Sequence, residues 1–404
     1  MSTNTGALTG IKIIDLSRVL AGPYATQILG DHGADIVKVE PPLGDETREW
    51  GPPFRDDAGE RGPSAYYVNI NRNKRGIALD LNKPEAREVV WKLLEDADVL
   101  VENFKLGTME RWGMGYDALS DRLPRLIHAR VTGFGAEGPM GGMPGYDACV
   151  QTMVSLPNCN GSPASGPVKL GVPMVDMTTA MNLTIGILLA LNERHRSGKG
   201  QFVEVALYDA GLSILHPHSG NWLMSGKLPK LLGNAHPNLT PYDLFPTATR
   251  PLLLGVGNDA QFKKAMAVLG IPHVADDQRF KTNADRNTNR PALTELITKA
   301  LATRDGVATT MELLNAGVPA GPLNTIEEVL TDEQTAARGM LVERNGYRGI
   351  ASPVKMSRTP SSTRHTPPDF GQDNRAVLHE AGYDAAAIDR LIALGAVRTK
   401  PQGA

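Results

Sequence analysis

Two cysteines, Cys149 and Cys159, are all that a chain of 404 residues carries. That excludes a disulfide framework, and neither has the histidine or cysteine company that a zinc site needs. A reducing, cytoplasmic setting is the simplest expectation. Charge of one sign is lacking too. The formal net charge is −2, so there is no basic excess with which to hold nucleic acid or a membrane surface. Long hydrophobic runs are scarce. The most apolar stretch, Ala180 to Leu191, is shorter than the ~20 residues that cross a bilayer. Met1 to Gly10 has neither the basic nor the apolar region of a secretory signal. No P-loop and no G-x-S-x-G elbow occurs, which leaves phosphoryl transfer and Ser-His-Asp hydrolysis without a motif. His216, His218 and His236 stand without partners at metal-ligand spacing, so no metal is expected.

What is present is an ordinary globular balance, 41% hydrophobic and 21% charged, in a chain too long for one compact core. The first third alternates strand and helix. Ile11–Asp15, Ala34–Glu40, Gly76–Asp80, Asp98–Glu102 and Arg125–Val131 read as strands. Tyr24–Asp31, entered through Pro23, and Glu85–Glu95, opened by Pro84, read as helices. Units of this kind predict a Rossmann-like parallel sheet covered on both faces. A further strand is expected at Gln201–Ala206, and the pattern then loosens from about Trp222 to Thr325. The expected organisation is a large domain from 1–222 and 330–404, with a smaller α+β domain at 223–329 between them.

Gly133-Phe-Gly-Ala-Glu-Gly138 fits the dinucleotide pattern G-x-G-x-x-G, which works only where a helix starts. Pro139, Gly141, Gly142, Pro144 and Gly145 follow, so a loop near a ligand is expected there, with no nicotinamide or flavin. Asp176 is the informative carboxylate. It stands directly before the apolar run Met181–Leu191 and reads as a helix N-cap. The same place suits a carboxylate nucleophile, because a helix N-terminus favours the ionised form.

Six segments, taken in order, resemble the family III CoA-transferases, the group that contains formyl-CoA transferase and carnitine CoA-transferase. They are Leu20–Glu40, Gly44–Phe54, Asn71–Asp80, Val101–Gly113, Gly133–Asp147 and Gly371–Tyr383. The resemblance implies an enzyme that moves CoA between carboxylic acids, built as an interlocked homodimer. It implies that Asp176 attacks an acyl-CoA thioester, forming a mixed anhydride. It carries the CoA site onto Ala21, Leu79, Asn103, Phe104, Lys105, Arg111 and Tyr146, with Lys105 and Arg111 supplying cations for the phosphates. Gly233, Asn234 and His236 resemble the loop that closes over the active site in relatives and could meet a developing oxyanion.

Two departures bear on the substrate. Formyl-CoA transferases carry glutamine before Ala-Gly-Pro, where this chain has Leu20, and the glycine run of their closing loop is thinner here. Both argue against oxalate or formate. The rival reading within the same fold is an α-methylacyl-CoA racemase, which needs a histidine where this chain has Tyr146. Tyrosine, with a pKa near ~10, is a poor base at neutral pH.

Overall fold

The computed structural model describes residues 6–57 and 59–402. They divide into two compact units, one from the described residues of 6–154 with 171–214 and 334–402, and one from 155–170 with 215–333.

The first unit is organised by six strands: β1 (Lys12–Asp15), β2 (Asp35–Glu40), β3 (Lys74–Ala78), β4 (Val99–Glu102), β5 (Ile127–Thr132) and β6 (Phe202–Ala206). Their order across the sheet is β6-β5-β4-β1-β2-β3, and every neighbouring pair is parallel. Strands of a parallel sheet covered on both faces must be apolar on both sides. Ile13 and Ile14 of β1 and Val99, Leu100 and Val101 of β4 are accordingly all fully buried.

Helices fill the connections. Among them are α1 (Ala21–Asp31), α2 (Ala65–Asn69), α3 (Pro84–Leu94), α4 (Thr108–Arg111), α5 (Asp147–Met153) and α6 (Met174–Ser197). Pro84 stands at the first turn of α3, where its missing N–H is harmless. Val89, Val90, Leu93 and Leu94 turn the inner face of α3 into the core beneath β1, β2 and β3. The chain order reverses between β1, whose next strand lies on one side, and β4, which pairs on the other. Ligands of open α/β sheets settle at the carboxyl ends of strands at such a point.

α6 is longer than the sequence expectation. It spans 24 residues, with a mean hydropathy of 1.6 in its most apolar window, so by length and composition it could cross a bilayer. Within this unit it is a core helix that packs against α1, β5 and β6. Leu183 and Ile187 are buried, and Arg194 near its end is held by Asp98 at 2.6 Å.

The second unit carries three antiparallel strands, β7 (Tyr242–Phe245), β8 (Leu252–Gly255) and β9 (Ala320–Pro322), in that order. Its own core gathers Phe245, Leu252, Leu254, Phe262, Phe280, Leu293 and Ile297. The segment 155–170 joins this unit although it lies well before the rest in sequence.

Candidate active site

Three loops leave the carboxyl ends of β1, β4 and β5 and wall a cavity of about 330 Å³. The β1 loop contributes Arg18 to Ala21, the β4 loop Asn103 to Leu106, and the β5 loop Gly133 and 142–146. Asp176 completes the wall. The β1 and β4 loops are tied together by one side chain. Asn103 accepts the Arg18 N–H through Oδ1 at 3.0 Å and donates to the Arg18 carbonyl through Nδ2 at 2.8 Å. The next residue, Val19, has φ of 71°, a conformation that a β-branched residue adopts only under constraint. Besides the Asn103 clamp, Asp45 accepts its N–H at 3.4 Å.

No helix begins in 133–146. The β5 loop runs out through glycine and proline and returns to its own start. A Cβ placed on Gly133 would lie 2.8 Å from the Gly145 nitrogen, so the two glycines pack backbone against backbone.

Asp176 is not the N-cap of its helix. α6 starts two residues earlier at Met174, and Pro173 at the cap position offers no side-chain hydrogen bond. The cap comes from another element. Asp147, the first residue of α5, accepts the N–H groups of Val175 (2.8 Å) and Asp176 (3.1 Å) on Oδ2. Its Oδ1 accepts Gln151 Nε2 at 2.6 Å. The Asp176 carboxyl is buried beside a like charge, and no cation among the described residues is paired with it. Burial pushes it up and Asp147 pushes it further, to about 7. Tyr66 of α2, half-buried and edge-on to Trp50 with ring centroids 5.2 Å apart, faces the same two carboxylates. Burial and then those charges raise its phenol to about 12, so it remains a neutral hydroxyl.

Beneath the β1 loop lies a different kind of charge cluster. Lys74 donates to Asp15 (3.0 Å), the Pro23 carbonyl (2.8 Å) and Asn71 (2.9 Å), which uses all three of its protons. Lys38 donates to the Ser17 carbonyl and to Asp45, each at 2.9 Å. Both ammonium groups are fully buried. They hold the backbone on either side of Arg18 and Val19.

Of the residues marked out by the sequence, Ala21, Asn103, Phe104, Lys105, Tyr146 and Asp176 meet at the one cavity. Leu79 lies instead in a smaller, mainly apolar recess shared with Phe104 and Trp112. Arg111, at the end of α4, lines neither and donates to Thr108 at 3.0 Å on the surface. Gly233, Asn234 and His236 belong to the second unit. There His236 Nδ1 accepts the N–H groups of Asn238 (3.0 Å) and Leu239 (3.1 Å). Burial, with Arg290 and His218 nearby, lowers its pKa. The ring is thus held as the neutral tautomer with Nε2–H as donor. Asp147 and Tyr66 are the residues that the sequence reading passed over. The sequence could have marked Asp147 as opening a helix, since acidic residues gather in a first turn, but not as the cap of α6.

A family model described as CoA-transferase family III matches residues 8–374. The chain is 42% identical to a succinate–glutarate CoA-transferase of Agrobacterium fabrum, over 92% of this chain and 95% of that one. It is 34% identical to the human succinyl-CoA:glutarate CoA-transferase, over 98% and 90%. It is 38% identical to an acetyl-CoA:oxalate CoA-transferase of Acetobacter aceti, over 87% and 90%. The crystal structure of a CaiB/BaiF family protein from Brucella suis superposes with a TM-score of 0.84 at 41% identity, covering 93% of this chain and all of that one.

Proposed function

The chain belongs to CoA-transferase family III, and from that premise we propose that it moves CoA from an acyl-CoA thioester to a small carboxylic acid with Asp176 as nucleophile. The observation that carries this reading is the setting of Asp176. It is a carboxylate with no cation partner among the described residues, set in the cavity at the sheet's reversal point, with a pKa raised to about 7. A salt-bridged aspartate would be a stable anion and a weak nucleophile. A desolvated one with a pKa of about 7 is about half ionised at neutral pH, and its anion is basic enough to attack.

The proposed sequence keeps the thioester's energy throughout. The Asp176 carboxylate adds to the thioester carbonyl, and CoA leaves as thiolate, giving a mixed anhydride. The thiolate then attacks the aspartyl carbonyl of the anhydride, releasing the donor acid and leaving CoA on Asp176. The acceptor carboxylate attacks that aspartyl thioester, giving a second anhydride and thiolate again. Attack of the thiolate on the acceptor's acyl carbon yields the new thioester and frees Asp176. One feature supports stabilisation of the oxyanions. α1 starts at Ala21 in the cavity wall with no side-chain cap, leaving first-turn N–H groups for an anion.

For CoA itself, Lys105 at the cavity and Arg111 on the surface at the end of α4 are the proposed phosphate partners, and the apolar recess at Leu79 suits a flat base. The names of the relatives support a short dicarboxylate acceptor. Leu20 at the cavity wall favours the longer, glutarate-like acids over oxalate. We also propose a homodimer, supported by Met181, Ile185, Leu188 and Leu189. They recur at helical spacing on one face of α6 and are 40–64% exposed. A monomeric mass at micromolar concentration would remove that part of the proposal.

The test of the mechanism is Asp176 itself. With succinyl-CoA and a panel of oxalate, succinate and glutarate, Asp176→Ala and Asp176→Asn should each lose transfer by at least ~10³-fold while CoA-ester binding persists. Hydroxylamine added to wild type with acyl-CoA alone should leave a hydroxamate on Asp176 by peptide mapping. Full activity in Asp176→Ala, or a label on Cys149 or Cys159, would refute the aspartyl mechanism.

A further inference from the structure

α6 carries Asp176 into the cavity wall, and the sequence before it cannot finish its first turn. Pro173 has no side-chain oxygen to offer the free N–H groups, and none of the cap's hydrogen bonds comes from its own side chain. Asp147 supplies the missing acceptor from α5, and one of the two N–H groups it takes belongs to Asp176. Gln151 holds the other oxygen of the same carboxylate, so Asp147 cannot swing without breaking three hydrogen bonds.

We propose that Asp147 is a positioning residue of the transfer reaction: its carboxylate closes the first turn of α6, aims the Asp176 side chain, and stands as a fixed negative neighbour that acylation relieves. This rests on the reading of Asp176 as nucleophile. Two consequences follow from the geometry. Moving Asp147 rotates the Asp176 backbone, and a misplaced nucleophile loses rate steeply. Asp176 also carries its charge only before it reacts. In the anhydride that charge has passed to the CoA thiolate, so the repulsion weighs on the reactant and not on the product of the first step.

The other groups that face Asp176 leave this repulsion in place. Tyr66 on α2 is a neutral phenol. Around the cavity, Arg18 is paired with Glu46 at 2.9 Å, and Lys105 and Tyr146 sit on the β4 and β5 loops. Burial and then Asp147 raise the Asp176 pKa, and no cation among the described residues opposes them. The acidic limb of the rate profile therefore depends in part on Asp147.

The discriminating variant is Asp147→Asn, which keeps an oxygen facing both N–H groups and removes the charge. Its acidic limb in kcat/KM is expected at least ~0.5 pH unit below that of wild type. Its plateau kcat should be about 10- to 100-fold lower, KM for the CoA ester nearly unchanged, and the hydroxamate still on Asp176. Asp147→Glu keeps the charge and shifts it by one methylene, so it should retain the high limb and lose kcat. A purely structural cap would alter melting temperature and leave the limb where it was. Wild-type limb and kcat in Asp147→Asn overturn the proposal. If that variant does not fold, wild-type kcat in Asp147→Glu does so. A hydroxamate mapping away from Asp176 would instead refute the nucleophile assignment on which the proposal stands.

Discussion

Asp15 and Asp176 are both buried carboxylates of the sheet-bearing unit, one at the end of β1 and the other in the first turn of α6. Burial pushes both upward. At Asp15 the opposing influences win: Lys74 and Lys38, then the hydroxyls of Ser17 and Thr26, hold it below the usual carboxylate range. At Asp176 the next group is Asp147, another carboxylate, and the pKa rises to about 7. Depth in the protein is therefore no guide to the state of a buried acid. The partner decides. The first arrangement makes a stable anion that holds chain, while the second makes the more basic carboxylate that the proposed mechanism uses.

That contrast can be attacked from either side. Lys74→Met removes one of the two cations from Asp15 and strands a buried charge. It should destabilise the fold by about 3–5 kcal/mol at neutral pH, read from the midpoint of urea unfolding. Wild-type stability in this variant would show that Lys38 alone suffices and that Asp15 differs from Asp176 less than the geometry implies. A somewhat smaller effect is expected at Asp176, with the opposite sign. A folded-state pKa raised above the unfolded value contributes stability that is complete below pH ~4 and is lost as pH rises through about 7. Asp176→Asn has no such loss. Its stability relative to wild type should improve by on the order of 2–4 kcal/mol between pH 4 and pH 8, measured by unfolding at both pH values. A constant difference across that range would mean that Asp176 is not strained by its charge.

Much of this architecture could be read from residues alone, for a physical reason. Strands buried on both faces are short apolar runs, and β1, β2, β4 and β5 lie within a few residues of Ile11–Asp15, Ala34–Glu40, Asp98–Glu102 and Arg125–Val131. The cavity residues were legible through the family resemblance, and Asn103, Phe104, Lys105, Tyr146 and Asp176 do share one wall. The start of α6 was not. An aspartate before an apolar run has the local signature of an N-cap, but here the capping oxygen belongs to Asp147 on α5, and no local pattern announces a cap from another helix. Lys38 and Lys74 were opaque for a related reason. A lysine inside a strand reads as a solvent-facing residue until its partner is known, and Asp15 lies far from Lys74 in the chain. The membership of 155–170 in the second unit is likewise a long-range fact.

The backbone contact between Gly133 and Gly145 has a consequence for how the cavity can change. Because the loop's two ends meet, residues 134–144 form an appendage whose entry and exit are one place. Lengthening such a loop carries only a slowly growing closure entropy, and neither β5 nor α5 need shift to accommodate it. Yet 142–144 form part of the cavity wall. Insertions and replacements there would reshape the cavity while Asp176, the proposed nucleophile, and Asp147 keep their alignment. The enzyme thus has a segment open to loop grafting, separate from the two carboxylates to which the transfer is assigned by proposal.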